Sequence, residues 1–166
     1  MGDSAVRSFS YEAEAFRSYC QRQFDSTLDY SFDAVALVDG ILGEAHASLL
    51  GMNEAEAWTY LNNMTLAAGA FVGEMLVRTC GGIWTCHGTP GKLQDWGVQV
   101  TGEGKRGDWV PVYASVFNFL QRGPHETLLA LVAPLLEANG RWPTPLVKTP
   151  PANRNPAKPD EARRLR

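Results

Sequence analysis

Histidine and cysteine are scarce in this chain, and neither is spaced for chemistry. Three histidines (His46, His87, His125) and three cysteines (Cys20, Cys80, Cys86) occur among 166 residues. There is no CxxC, no HExxH and no histidine pair at helical spacing, the patterns by which such side chains converge on zinc. These residues, with Glu74, are therefore not read as a metal set, and no cofactor is expected. An odd cysteine count without paired spacing argues against a disulfide framework and fits buried thiols in a reducing compartment. Cys86 and His87 are adjacent, and neighbours on a strand face apart, which spoils a nucleophile–base pair. Also missing is any run of about 18 apolar residues able to span a bilayer. The opening MGDSAVRSFSYEAEAF holds acids and no continuous apolar stretch. No secretory signal and no membrane partner are expected, and the cytoplasm is the expected location.

The body also lacks basic clusters. Residues 1–140 hold eight Lys/Arg against sixteen Asp/Glu, a net charge of −8, whereas residues 141–166 hold seven basic and two acidic residues, a net of +5. An acidic body is a poor match for phosphate backbones, so a nucleic-acid partner is not expected. The glycines make no phosphate loop. Gly88–Lys92 (GTPGK) lacks the GxxxxGK[ST] spacing, with Leu93 where Ser or Thr belongs, and Gly102, Gly104 and Gly107 read as a hairpin turn.

What the chain does carry is one long apolar helix pattern, Leu66 to Trp84 (LAAGAFVGEMLVRTCGGIW). Leu66, Gly69, Gly73, Leu76 and Cys80 recur at three- and four-residue steps and share one face, on which the glycines are expected to admit a closely packed second helix. The GxxxG spacing is read as soluble packing, because Asn62, Asn63, Glu74 and Arg78 interrupt the segment. Gly81-Gly82 supplies the positive φ that commonly ends a helix.

Around this segment the periodicity predicts an α+β domain. It comprises three N-terminal helices on a small antiparallel sheet of two or three strands, then one or two C-terminal helices. The first helix is expected over Ser4–Phe24, with Phe9, Ala13, Phe16 and Cys20 inside. Ser31 is the expected N-cap of the second, which carries Val35, Val38, Leu42, Ala45 and Leu49, and Asn53 caps the third, which runs to Thr79 or Cys80. Ile83–His87, the alternating Trp96, Val98 and Val100, and Trp109-Val110 read as strands. Pro111 opens a helix over Val112–Gln121. A last helix is expected over His125–Asn139, kinked or divided by Pro134. Six of the ten prolines fall beyond Arg141 among basic residues, so residues 141–166 read as a disordered or extended tail to a single domain, with Trp142 available to dock its start.

Glu74 invites a catalytic role, since an acid in an apolar setting can have a raised pKa. Arg78, four residues on, offers a helical ion pair instead, and structural use is the favoured reading. The remaining candidate acids are Asp25, Asp29 and Asp33, spaced four apart, with Glu12 and Glu14 on helix one and Glu54 and Glu56 in the first turn of helix three. They read as a solvated face or as an acidic surface that docks a basic protein. Trp58, Trp84, Trp96 and Trp109 are anchor candidates wherever they are exposed.

The segments LDYSFDAVALVDGIL, AGAFVGEMLVRTCGGIW, WGVQV and VPVYASVFNFLQRGPHETLLAL, over residues 28–135, resemble small uncharacterised bacterial families. In those families a Gly-x-x-x-Gly-Glu helix ends at Gly-Gly-x-Trp before a hairpin and helices. The positions carrying the likeness are Asp29, Tyr30, Ser31, Asp39, Gly69, Gly73, Glu74, Gly81, Gly82 and Trp84. The resemblance implies an accessory or immunity-type protein and brings no catalytic residue. The expected function is a protein-binding module, an immunity protein that occludes the active surface of a basic secreted toxin through Asp25, Asp29, Asp33, Glu54 and Glu56. Two alternatives stand beside it: a small hydrolase using Glu74 and His87, and a homodimeric secretion chaperone or adaptor with an apolar groove.

Overall fold

The computed structural model describes residues 2–100, 107–125 and 127–138, with side chains from residue 8 to residue 135. The basic tail and the GEGKRG turn, apart from Gly107, lie outside the described residues. Helix α1 (Gly2–Phe24) lies along α3 (Glu54–Cys80) in the most extensive pairing of elements, and α2 (Asp33–Leu49) connects them. Strands β1 (Ile83–Cys86), β2 (Trp96–Val100) and β3 (Asp108–Val110) form one antiparallel sheet in the order β1-β2-β3, with Trp84 opposite Val98 and Val98 opposite Val110. Helix α4 (Val112–Arg122) packs against α2, α3 and β2, and α5 (Leu128–Ala138) packs on α2. This is the α+β architecture that the periodicity predicts. Among the described residues no helix is long and apolar enough to cross a membrane.

The elements follow from local chemistry. Phe9, Ala13, Phe16 and Cys20 are buried on α1, and Val112, Val116, Phe119 and Leu120 on α4, each set recurring at helical steps. Asn53 Oδ1 accepts from Glu56 N at 3.0 Å, capping α3, and Gly81 ends that helix at φ 66°.

Three expectations are corrected. Ser31 does not cap α2: its hydroxyl donates to the Asp29 carboxylate, which also accepts Ser31 N at 3.1 Å, and the N-cap position falls to Phe32 without a side-chain bond. The last helix starts at Leu128 rather than His125. Thr127 Oγ1 accepts from Ala130 N at 3.1 Å, and Asp39 of α2 accepts from Leu128 N at 2.8 Å and Leu129 N at 3.2 Å. Pro134 lies inside α5 without dividing it: one ladder donor is lost, while Leu128, Val132 and Leu135 hold the helix in the core on both sides of it.

The third correction concerns the glycine face of α3, which receives aromatic rings rather than a second helix backbone. A Cβ built on Gly69 would overlap the Tyr113 ring from α4, and one on Gly73 would overlap the Trp84 ring from β1. Trp84 stacks on Tyr113 at 5.7 Å and lies 4.6 Å from Phe9 of α1, so α1, α3, α4 and the sheet meet on these two glycines.

Candidate functional site

Glu74 sits on the same ledge, one residue after Gly73, and is 5% exposed. Its carboxylate accepts from Trp84 Nε1 at 2.9 Å and lies 3.6 Å from Arg78 Nε. Arg78 continues outward, 3.8 Å from a Glu14 carboxylate oxygen and 3.8 Å from the centroid of the Tyr30 ring. Tyr30 donates to Glu14 at 2.8 Å and stacks on Phe71 at 5.2 Å, and Arg17 binds both Glu14 at 2.7 Å and the Leu28 carbonyl at 2.7 Å. The hydrogen bond from Tyr30, ahead of the two arginines, holds Glu14 below the usual carboxylate range, and burial pushes the Tyr30 phenol up to about 12. The result is a polar seam joining α1, the loop before α2, α3 and β1. Arg78 is thus shared between Glu74 and Glu14, and both oxygens of Glu74 have partners.

This arrangement commits Glu74 to Trp84 and Arg78, while His87 has partners of its own. His87 lies beyond the end of β1, its ring stacked on Trp109 at 4.5 Å and 4°, and its backbone N donates to the Asp95 carbonyl at 2.9 Å. Neither Glu74 nor His87 lines any of the cavities described here. The GTPGK segment is a structural loop, with Thr89 N bound to the Asp95 carboxylate at 2.7 Å and Trp96 Nε1 bound to the Pro90 carbonyl at 3.0 Å. Among the described residues no three His, Cys, Asp or Glu side chains cluster as a metal ligand set. Cys20 is fully buried, which pushes its thiol up to about 11.

All five predicted surface acids are exposed, but they fall into two groups. Asp25, Asp29 and Asp33 border the loop before α2. Asp25 adopts φ 48° and accepts from Gln21 at 3.2 Å, while bonds from Ser31 lower the Asp29 pKa. Glu54 and Glu56 stand in the first turn of α3, where the helix dipole favours them. The 17-residue α2 lies between the groups and spans about 25 Å at 1.5 Å per residue. They do not form one patch.

The second acid group borders an apolar surface. Trp58 is 57% exposed and Leu50 is 78% exposed. Together with His46, Leu49, Glu54 and Leu61 they line a cavity of about 300 Å³ where the end of α2 meets the start of α3. Phe117 of α4 meets Trp58 edge-on at 6.4 Å, and His46 Nδ1 donates to the Leu120 carbonyl at 2.8 Å, fixing the floor. Of the four tryptophans considered as anchors, Trp58 is exposed, whereas Trp84, Trp96 and Trp109 are half-buried. Leu50 had a sequence signal in retrospect: it is the last apolar residue before the Gly51 turn, where a helix face runs out of cover.

Compared with protein-family models, curated proteins and solved structures, the chain finds no match in any of the three.

Proposed function

We propose that this protein is a protein-binding module that engages a basic partner through the junction of α2 and α3 and acts by occlusion, as an immunity-type inhibitor does. The observation that carries the reading is Trp58, more than half exposed beside Leu50, with a cavity between them and Glu54 on its border. Large amphipathic rings in such settings supply most of the energy of many interfaces, and surrounding carboxylates select positively charged partners and speed their association. Glu54 acts at this surface, Glu56 faces the other flank of α3, and Asp25, Asp29 and Asp33, beyond the far end of α2, contribute only at long range.

The test is retention of partners from source cells by tagged full-length protein at low and high salt, run beside Trp58→Ala and Glu54→Lys variants. A basic protein held stoichiometrically at low salt, and lost with Trp58→Ala, is expected. Truncating a central tryptophan commonly costs about 2 kcal/mol or more, roughly thirtyfold in affinity. Identical retention by wild type and Trp58→Ala would refute this surface.

A further inference from the structure

A second depression lies on the opposite flank of α3. Between α1 and α3 a groove of about 310 Å³ is lined by Phe16, Tyr19, Tyr60 and Met64, with Glu12 and Asn63 at its polar border. It continues past Tyr60 and Asn63 into a shallower trough of about 570 Å³ that reaches Met52 and Glu56. Burial, with Tyr19 beside it, pushes the Tyr60 phenol up to about 12, so the Tyr60 ring presents a neutral aromatic face at neutral pH. The groove therefore combines aromatic walls, a side-chain amide donor at Asn63 and acids at both ends.

That combination suits a proline-rich basic strand. A polyproline segment has no internal hydrogen bonds, so its carbonyls are free to accept from a donor such as Asn63, and its rings pack on aromatic faces. The chain itself contains this ligand. Residues 148–159 read KTPPANRNPAKP, with four prolines, the PxxP spacing at Pro156–Pro159, and the cations Lys148, Arg154 and Lys158 to meet Glu12 and Glu56. Reach is sufficient. From Ala138 to Pro156 there are about 18 residues, or roughly 55 Å at about 3.1 Å per residue in extended form. A domain of this length has a radius of gyration of only about 14 Å.

We propose that residues 148–159 dock in the α1–α3 groove of the same chain. The groove is separate from the Trp58 surface, so this inference stands or falls independently of the proposed function. The probe is a fluorescently labelled synthetic peptide of residues 148–162, titrated by anisotropy into two full-length proteins, wild type and Pro156→Ala/Pro159→Ala. An attached tail competes at an effective concentration on the order of millimolar. The peptide should therefore bind the double variant at least tenfold more tightly than wild type. Adding Tyr60→Ala to the double variant should weaken the peptide at least tenfold, and Asn63→Ala, at an exposed position that leaves the core intact, about threefold.

Absence of peptide binding to the double variant would overturn the proposal, as would equal binding to the two proteins. So would indifference to both groove variants, with folding verified by circular dichroism. A wild-type dimer in sedimentation that dissociates with Pro156→Ala/Pro159→Ala would assign the tail to a neighbouring copy and overturn docking within one chain.

Discussion

Replacing Gly73 by alanine separates two opposing effects that differ in sign. On an isolated helix the change is favourable by about 1 kcal/mol, because alanine loses less backbone freedom on folding. Here the added methyl falls on three atoms of the Trp84 ring. The ring has little room to retreat, since its Nε1 is bound to Glu74 at 2.9 Å, Phe9 lies at 4.6 Å and Tyr113 at 5.7 Å. Overpacking costs about 1–3 kcal/mol, and tilting Trp84 enough to break a hydrogen bond to a charged group adds about 1.5–3 kcal/mol. After subtraction of the helix gain, a net loss of about 1.5–5 kcal/mol is expected. Urea unfolding followed by tryptophan fluorescence should show this as a midpoint lowered by about 0.8–2.5 M at an m-value of about 2 kcal/mol/M. Trp84→Leu in the Gly73→Ala background should then cost less than Trp84→Leu alone, because the leucine leaves space for the methyl. A neutral or stabilising Gly73→Ala would refute the ledge argument, and so would strictly additive costs in the double-mutant cycle.

Asp39→Ala removes the acceptor for two donors at the start of α5 and should cost about 1–2 kcal/mol, as loss of a helix cap does; in hydrogen exchange the added mobility should concentrate in residues 128–138. Tyr30 has a folded pKa raised to about 12 from an ordinary value of 10.0. Its contribution is therefore complete below pH 10 and disappears as the pH rises toward 12, so alkaline unfolding should be less steep in Tyr30→Phe. Glu14 has the opposite sign: its depressed pKa means that its contribution is present at neutral pH and is lost as the carboxylate protonates in acid. Cys20, fully buried with its thiol pushed up to about 11, should resist a thiol reagent at pH 8 until urea is added. Cys86 should react in the folded protein, and simultaneous modification of Cys20 and Cys86 without denaturant would contradict the packing.

The sequence was most legible where one residue's local chemistry decides the outcome. Helical spacing identified the buried faces of α1 and α4, and Asn53 and Gly81 marked the two ends of α3. The alternation of Trp96, Val98 and Val100 marked β2. Reading failed where the deciding partner lies far along the chain. Nothing near Leu128 announces that its amide is taken by Asp39, 89 residues earlier. Ser31 has the composition of a cap, but Asp29 captures its hydroxyl first. The glycine spacing at 69 and 73 signals close approach without saying what approaches, and Tyr113 and Trp84 arrive from elements 44 and 11 positions later. The five acids looked like one surface because sequence distance hides the length of α2. Trp58 could be nominated as an anchor but not separated from Trp84, Trp96 and Trp109, because amphipathic rings suit both core and surface.

The bond between Asp39 and the start of α5 also sets how far the chain can be shortened from its C-terminal end. A protein ending after Ala138 keeps every contact described for α5. One ending before Thr127 would lose the donors that Leu128 and Leu129 extend to Asp39, leaving a half-buried carboxylate facing an emptied position, and would uncover the α2 surface on which Leu128, Val132 and Leu135 rest. The last helix is thus not an appendage that proteolysis could trim away at little cost; its removal would unseat α2, and with it the lip of the Trp58 surface formed by His46, Leu49 and Leu50.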